Sequence, residues 1–269
     1  MAGKGIFDIT GKVALVTGAS KGLGVVFAEA LAEYGADVAC AARNEAKLKE
    51  TVQRVEKYGR RAIAIKADVT DEASVINMVN ETVRQMGRID IFVNNAGVTS
   101  PPTRIHEFPT DDWDRIINTN LRGQFLGMKY VIPVMLKQQS GSIINITSIA
   151  GLRAEVPEVA PAPYGASKAG IINLTQVAAI EYAGDGIRVN CIAPGIHLTG
   201  LGDPEGMDDP KIRAAREKQT GEYCKNWIPM GRGAQPGELK GLMVLLASEA
   251  SSYITGQVMV QDGGQSSRL

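Results

Sequence analysis

Apolar residues in this chain follow two alternating rhythms. A short unbroken run, "KVALVTG" over 12–18, gives way to "GVVFAEALAEYGA" over 24–36, where Phe27, Leu31 and Tyr34 recur at helical spacing. The first pattern predicts a buried strand and the second a helix that stops at Gly35. The pair then repeats. Strands are predicted over 37–43, 61–69, 90–97, 141–148, 187–195 and 256–264. Helices are predicted over about 44–58, 71–86, 111–138, 164–184 and 236–248. Strands that alternate with helices imply parallel βαβ units with right-handed crossovers. The expected fold class is α/β: one Rossmann domain over 1–269, built on a doubly wound parallel sheet. Ligands of such sheets sit beyond the carboxyl ends of the strands, and most unusual peptides of this chain fall there.

Two segments interrupt the rhythm. "RAEVPEVAPAP" (153–163) is rich in proline. The stretch 197–227 starts with glycine and acid, then turns helical, and is expected to form a substrate lid. Its Asp203, Glu205, Asp208 and Asp209 read as a solvated face.

Composition narrows the function. The 29 basic and 29 acidic side chains of the 269 residues cancel, so no basic footprint points to nucleic acid or an anionic membrane. Cys40, Cys191 and Cys224 form no CxxC or zinc pattern, and a reducing, cytoplasmic setting is expected. The start "MAGKGIFDIT" lacks the apolar core of a signal peptide, and no run approaches the length of a membrane span.

Candidate chemistry begins at "TGASKGLG" (17–24), between the first strand and the first helix. Gly18, Gly22 and Gly24 let the backbone turn and approach a pyrophosphate, while Ser20, Lys21 and Leu23 complete the loop and the helix offers free N–H groups. The plainer reading is a tight βα turn; the strand–turn–helix setting favours a dinucleotide. At the end of the second strand, "CAARN" offers no acid for a ribose hydroxyl. Arg43 there, with Lys21, suits a 2′-phosphate and favours NADP(H) over NAD(H); otherwise both are solvated surface cations. Asp68 and Val69 end the third strand. Asp68 either meets the adenine or caps the next helix.

With these residues go "NNAG" (94–97), Asn120 in "NTNLRG", Ser148, "YGASK" (164–168) and "APG" (193–195). In this order the chain resembles the short-chain dehydrogenase/reductases nearly end to end. Its first and last segments are most similar to gluconate 5-dehydrogenase-like members. The resemblance implies an enzyme that interconverts a secondary alcohol and a ketone. It implies that Asn94 lies beside the adenosine ribose and that Asn95 braces neighbouring strands. Ile196 and His197 would pack by the nicotinamide, and Thr199 would hold its carboxamide. It also implies a homotetramer in which the helices of Asn120 and Tyr164 pair between subunits.

Tyr164 and Lys168 share one helix face. The ammonium is expected to lower the tyrosine pKa, so that Tyr164 can serve as general acid and base. Ser148 would orient the substrate oxygen. Lys168 would also hold the nicotinamide ribose, and Asn120, as in the family, would relay protons through a water. No metal is expected, since the two histidines match no ligand spacing. Two other functions use the same scaffold: a dinucleotide sensor, which needs no proton donor, and a dehydratase or epimerase.

Two departures from the family stand out. Sixteen positions separate Ser148 from Tyr164, about three more than usual in the family, so 153–163 holds an insertion that is either a pocket wall or a surface bulge. His197 replaces an aliphatic residue; its ring either packs or contacts substrate.

Overall fold

The strands are β1 (Val13–Thr17), β2 (Asp37–Ala42), β3 (Ala62–Lys66), β4 (Ile91–Asn94), β5 (Gly141–Ile146), β6 (Ile187–Pro194) and β7 (Val258–Gln261). The helices are α1 (Gly22–Glu33), α2 (Glu45–Glu56), α3 (Glu72–Met86), α4 (Thr110–Ile117), α5 (Gly123–Gln138), α6 (Ala162–Tyr182), α7 (Pro210–Trp227) and α8 (Lys240–Ala247). The computed structural model describes residues 5–101, 103–154, 160–199 and 210–267, without the side chains of 210–217. The acids at 203, 205, 208 and 209 and the middle of the 153–163 segment lie outside the described residues. No described helix is long and apolar enough to cross a membrane.

All strand pairings are parallel, in the order β3-β2-β1-β4-β5-β6-β7. The expected doubly wound sheet is therefore present. Every residue of β1 is buried, as a parallel strand covered on both faces requires. Strand periodicity divides its side chains: Ala14 and Val16 join one core with Phe27, Leu31 and Met243, while Leu15 joins the other with Met78, Phe92, Leu126 and Ile143. Phe27 and Phe92 are fully buried, one in each core. Truncating either to alanine would cost about 3–5 kcal/mol.

The order reverses at β1, where the chain leaves toward β2 and returns to β4. That switch point opens a crevice beyond the strand ends. The strands that frame it are tied at both ends. At the amino ends Asp90 accepts the Val13 N–H at 2.9 Å and a bidentate pair from Arg88 at 2.7 and 2.6 Å. At the carboxyl ends the Thr17 hydroxyl accepts the N–H groups of Asn95 at 3.0 Å and Ala96 at 3.2 Å.

The single helix expected over 111–138 is α4 and α5 joined by a π-helical turn at Asn118–Arg122. The Gly123 N–H reaches back five residues to the Asn118 carbonyl. Such bulges gather at functional sites, and this one holds Asn120.

Candidate active site

The glycine turn has the shape of a phosphate cradle. Gly18 and Gly22 adopt φ of +68° and +56°, a region that side-chain-bearing residues avoid. A Cβ on Gly24 would stand 2.2 Å from the Gly18 carbonyl oxygen, so the helix can approach the strand only there. Lys21 is the N-cap of α1 but its side chain makes no cap bond, and the first turn carries no acid. The helix therefore leaves N–H groups and a positive dipole end for an anion. Asn95 Nδ2 donates to the Thr17 carbonyl at 2.9 Å and holds the turn against β4. Leu23 packs its side chain into the core. Thr199 arches over the turn, its Cβ 3.5 Å from where a Cβ on Gly22 would sit. These features fit a dinucleotide pyrophosphate.

Arg43 follows β2 and is exposed. It lines an open cleft of about 340 Å³ with Lys66, Ala67, Asp68 and Ser74. Lys21 does not line this cleft, and Lys66 was not singled out in the sequence. Asp68 spends one oxygen on its own turn, accepting from Thr70 N at 2.9 Å and Thr70 Oγ1 at 2.8 Å. The side chain that caps α3 is Asp71, through the Ala73 N–H. Val69 packs where a Cβ on Gly123 would come within 2.9 Å of it.

Asn94 closes β4. Its side chain is 1% exposed and donates to the Gln124 carbonyl at 2.8 Å and to Asn145 Oδ1 at 3.1 Å. Its Nδ2 braces β4 against its neighbours, while its buried Oδ1 has no partner among the described residues. His197 follows β6. Its Nδ1 lies 3.1 Å from the Gly195 carbonyl and its Nε2 lies 3.4 Å from Gln261 Oε1. The ring nitrogens are engaged by the β6 and β7 ends. Ile196 lies 3.5 Å from where a Cβ on Gly233 would stand.

Ser148, Tyr164 and Lys168 converge. Ser148 lies just past β5, its hydroxyl close enough to the Tyr164 phenol to act on it. Two close approaches make this possible. A Cβ on Gly151 would fall 2.6 Å from the Lys168 carbonyl carbon, and one on Gly165 would fall 3.2 Å from the Ala150 carbonyl oxygen. Thr147 Oγ1 donates to the Lys168 carbonyl at 2.7 Å and pins α6 to β5.

Lys168 is 3% exposed. Its Nζ donates to the Ile146 carbonyl at 2.9 Å and lies 5.5 Å from the centroid of the Tyr164 ring. Burial lowers its pKa to about 8, opposed by the neighbouring Cys191. Burial raises the pKa of Tyr164, opposed by Ser148. The expected lowering of the tyrosine by the lysine is thus corrected: the ammonium serves the Ile146 carbonyl and the ring face, and desolvation governs the phenol.

Asn120 is fully buried. Its Oδ1 accepts the Val98 N–H at 2.7 Å, and its Nδ2 donates to the Val98 carbonyl at 2.9 Å and to Ser167 Oγ at 3.2 Å. Gly97 makes room between it and the lysine: a Cβ there would meet Asn120 Oδ1 at 3.4 Å and Lys168 Nζ at 3.6 Å. With its side chain committed to Val98, Asn120 shapes the loop after β4.

The substrate side also holds residues that sequence patterns did not flag. Arg153 Nη2 donates to the Gln265 carbonyl at 2.6 Å, and Gln265 Nε2 donates to the Tyr223 hydroxyl of α7 at 3.0 Å. The C-terminal turn thereby ties the start of the 153–163 segment to the helix of the expected lid.

A family model described as enoyl-(acyl carrier protein) reductase matches residues 18–266. An uncharacterized oxidoreductase of Bacillus subtilis is 42% identical over 257 residues, 94% of this chain and 90% of that protein. The gluconate 5-dehydrogenase of Gluconobacter oxydans is 37% identical and covers 96% of each chain. A crystal structure of a short-chain type dehydrogenase/reductase from Mycobacterium marinum superposes with a TM-score of 0.88, at 37% identity over 97% of both chains.

Proposed function

The chain belongs to the short-chain dehydrogenase/reductase family, oxidoreductases of CH–OH groups that use a nicotinamide dinucleotide, and from that premise we propose that it interconverts a secondary alcohol and a ketone with NADP(H). The convergence of Ser148, Tyr164 and Lys168 beside the glycine cradle carries this reading. A dinucleotide sensor would need the cradle alone.

The bound cofactor supplies or accepts the hydride. The Ser148 hydroxyl orients the substrate oxygen toward the Tyr164 phenol. Tyr164 gives its proton to that oxygen in reduction and takes it back in oxidation. Lys168, buried next to the phenol, offers an ammonium near the forming charge and a contact for the nicotinamide ribose. The raised pKa of Tyr164 keeps the proton on the phenol at neutral pH and so favours it as a donor. Asn120 positions the Val98 segment above the lysine, and a proton relay to solvent would pass its main chain rather than its amide.

Arg43 and the missing acid after β2 support NADP(H). The gluconate 5-dehydrogenase likeness supports a sugar acid as substrate; a cyclic ketone and a 3-oxoacyl compound are the alternatives. Exposed Phe125 on α5 and Val177 and Ile180 on α6 support pairing of those helices in a homotetramer, and the free buried cysteines suit a cytoplasmic enzyme.

The test is oxidation of NADPH and NADH over a panel of 5-keto sugar acids, cyclic ketones and 3-oxoacyl thioesters. NADPH turnover with at least one class is expected. Cofactor binding without turnover on any class would support the sensor, and a higher kcat/KM with NADH would refute the cofactor assignment.

A further inference from the structure

Lys66 is the last residue of β3 and stands in register with Ala42, the residue before Arg43. The two cations thus leave adjacent parallel strands at the same level and line one open cleft. Both are exposed. Neither forms an ion pair or hydrogen bond among the described residues, whereas Arg54, Arg60, Arg84 and Arg88 each hold a carboxylate. The one carboxylate of the cleft is Asp68, which turns an oxygen to Thr70. Two cations facing a single carboxylate leave the recess with a surplus of positive charge, and a dianion between them would relieve their mutual repulsion.

We propose that Lys66 is a specificity-determining residue, the second cation that holds the 2′-phosphate of NADP(H) opposite Arg43. The inference rests on the NADP(H) reading above and adds a residue to it. Arg43 offers a planar fork to two phosphate oxygens, and Lys66 a mobile point charge to the third. A 2′-hydroxyl in the same place gives the ammonium no charge to meet, so Lys66 discriminates without touching the rest of the cofactor.

The test is calorimetric titration of the full chain with 2′,5′-ADP and with 5′-AMP, which differ by the 2′-phosphate alone. The proteins are wild type, Lys66→Ala, Lys66→Arg and Arg43→Ala, each first checked for an unchanged melting curve. Lys66→Ala is expected to weaken 2′,5′-ADP roughly five- to tenfold at low salt, with a shallower salt dependence. Its 5′-AMP binding should match wild type, and Lys66→Arg should keep most of the affinity. Wild-type affinity of Lys66→Ala for 2′,5′-ADP, with a loss in Arg43→Ala, would overturn the role of Lys66 and leave the NADP(H) reading standing. Equal loss of both ligands in Lys66→Ala would also overturn it. A wild type that binds 5′-AMP as tightly as 2′,5′-ADP would remove the NADP(H) reading and this inference together.

Discussion

The Lys168 ammonium faces the ring of Tyr164, 5.5 Å from its centroid, and gives its hydrogen bond to the Ile146 carbonyl at 2.9 Å. At the phenol it is Ser148 that opposes the effect of burial. Lysine and tyrosine are therefore coupled through space across a ring face, and burial acts on both.

Replacing Tyr164 by phenylalanine removes the proposed proton donor and keeps the ring under the ammonium. Turnover should fall about 10²–10⁴-fold, while cofactor affinity stays near wild type. Steady-state rates and cofactor titration on the same preparation check both halves. Wild-type-like turnover would refute the role.

Lys168 has a folded-state pKa of about 8, below the usual lysine range. Between pH 8 and its unfolded value the unfolded chain binds more protons, so stability contributed by this group rises with pH through that window; below pH 8 the full burial penalty is present. Lys168→Met should remove roughly 2–3 kcal/mol of penalty at pH 7, less about 1 kcal/mol for the Ile146 carbonyl left without its donor. The expected result is a dead enzyme that melts a few degrees higher at pH 7, with the gap closing toward pH 10. Thermal scans of both proteins across that range test it.

The raised phenol pKa sets a directional pH profile. Reduction, which needs the protonated phenol, should hold a constant kcat/KM up to about pH 8, where Lys168 begins to lose its charge. Oxidation needs the phenolate and should climb as pH rises from 7. A reduction rate already falling below pH 7 would show a phenol pKa depressed instead of raised.

Gly24→Ala sets a Cβ 2.2 Å from the Gly18 carbonyl oxygen, a contact that only backbone movement can relieve. A loss of about 1–3 kcal/mol is expected, together with loss of dinucleotide binding. Denaturant titration and calorimetry read the two separately.

His197→Val should leave the pH optimum in place, because the ring nitrogens are taken up by Gly195 and Gln261. A displaced optimum would show that the imidazole takes part in proton transfer.

The layered architecture was legible because each strand is a short apolar run and each helix a periodic one. The convergence of Ser148, Tyr164 and Lys168 was legible because their spacing on one helix and one strand end is local. What escaped the sequence depends on contacts between distant segments. Asn94 and Asn95 are neighbours with similar chemistry, and only the packing of β4 against Gln124 and Asn145 decides which side chain is buried. The π-helical turn at Asn118–Arg122 interrupts hydrogen bonding without proline or any break in polarity, so no pattern announces it. Lys66 reads as an ordinary strand-end cation until the register sets it beside Ala42. The direction of the Tyr164 shift depends on how much water surrounds both partners, which spacing does not encode.

The brace between Thr17 and Asn95 spans 78 positions. During synthesis the glycine turn leaves the ribosome long before the amide that holds it. A nascent chain that ends before β4 thus has the peptide that would grip a pyrophosphate without its clamp. Dinucleotide capture is therefore expected to follow the docking of β4, so that the cofactor rewards folding already under way.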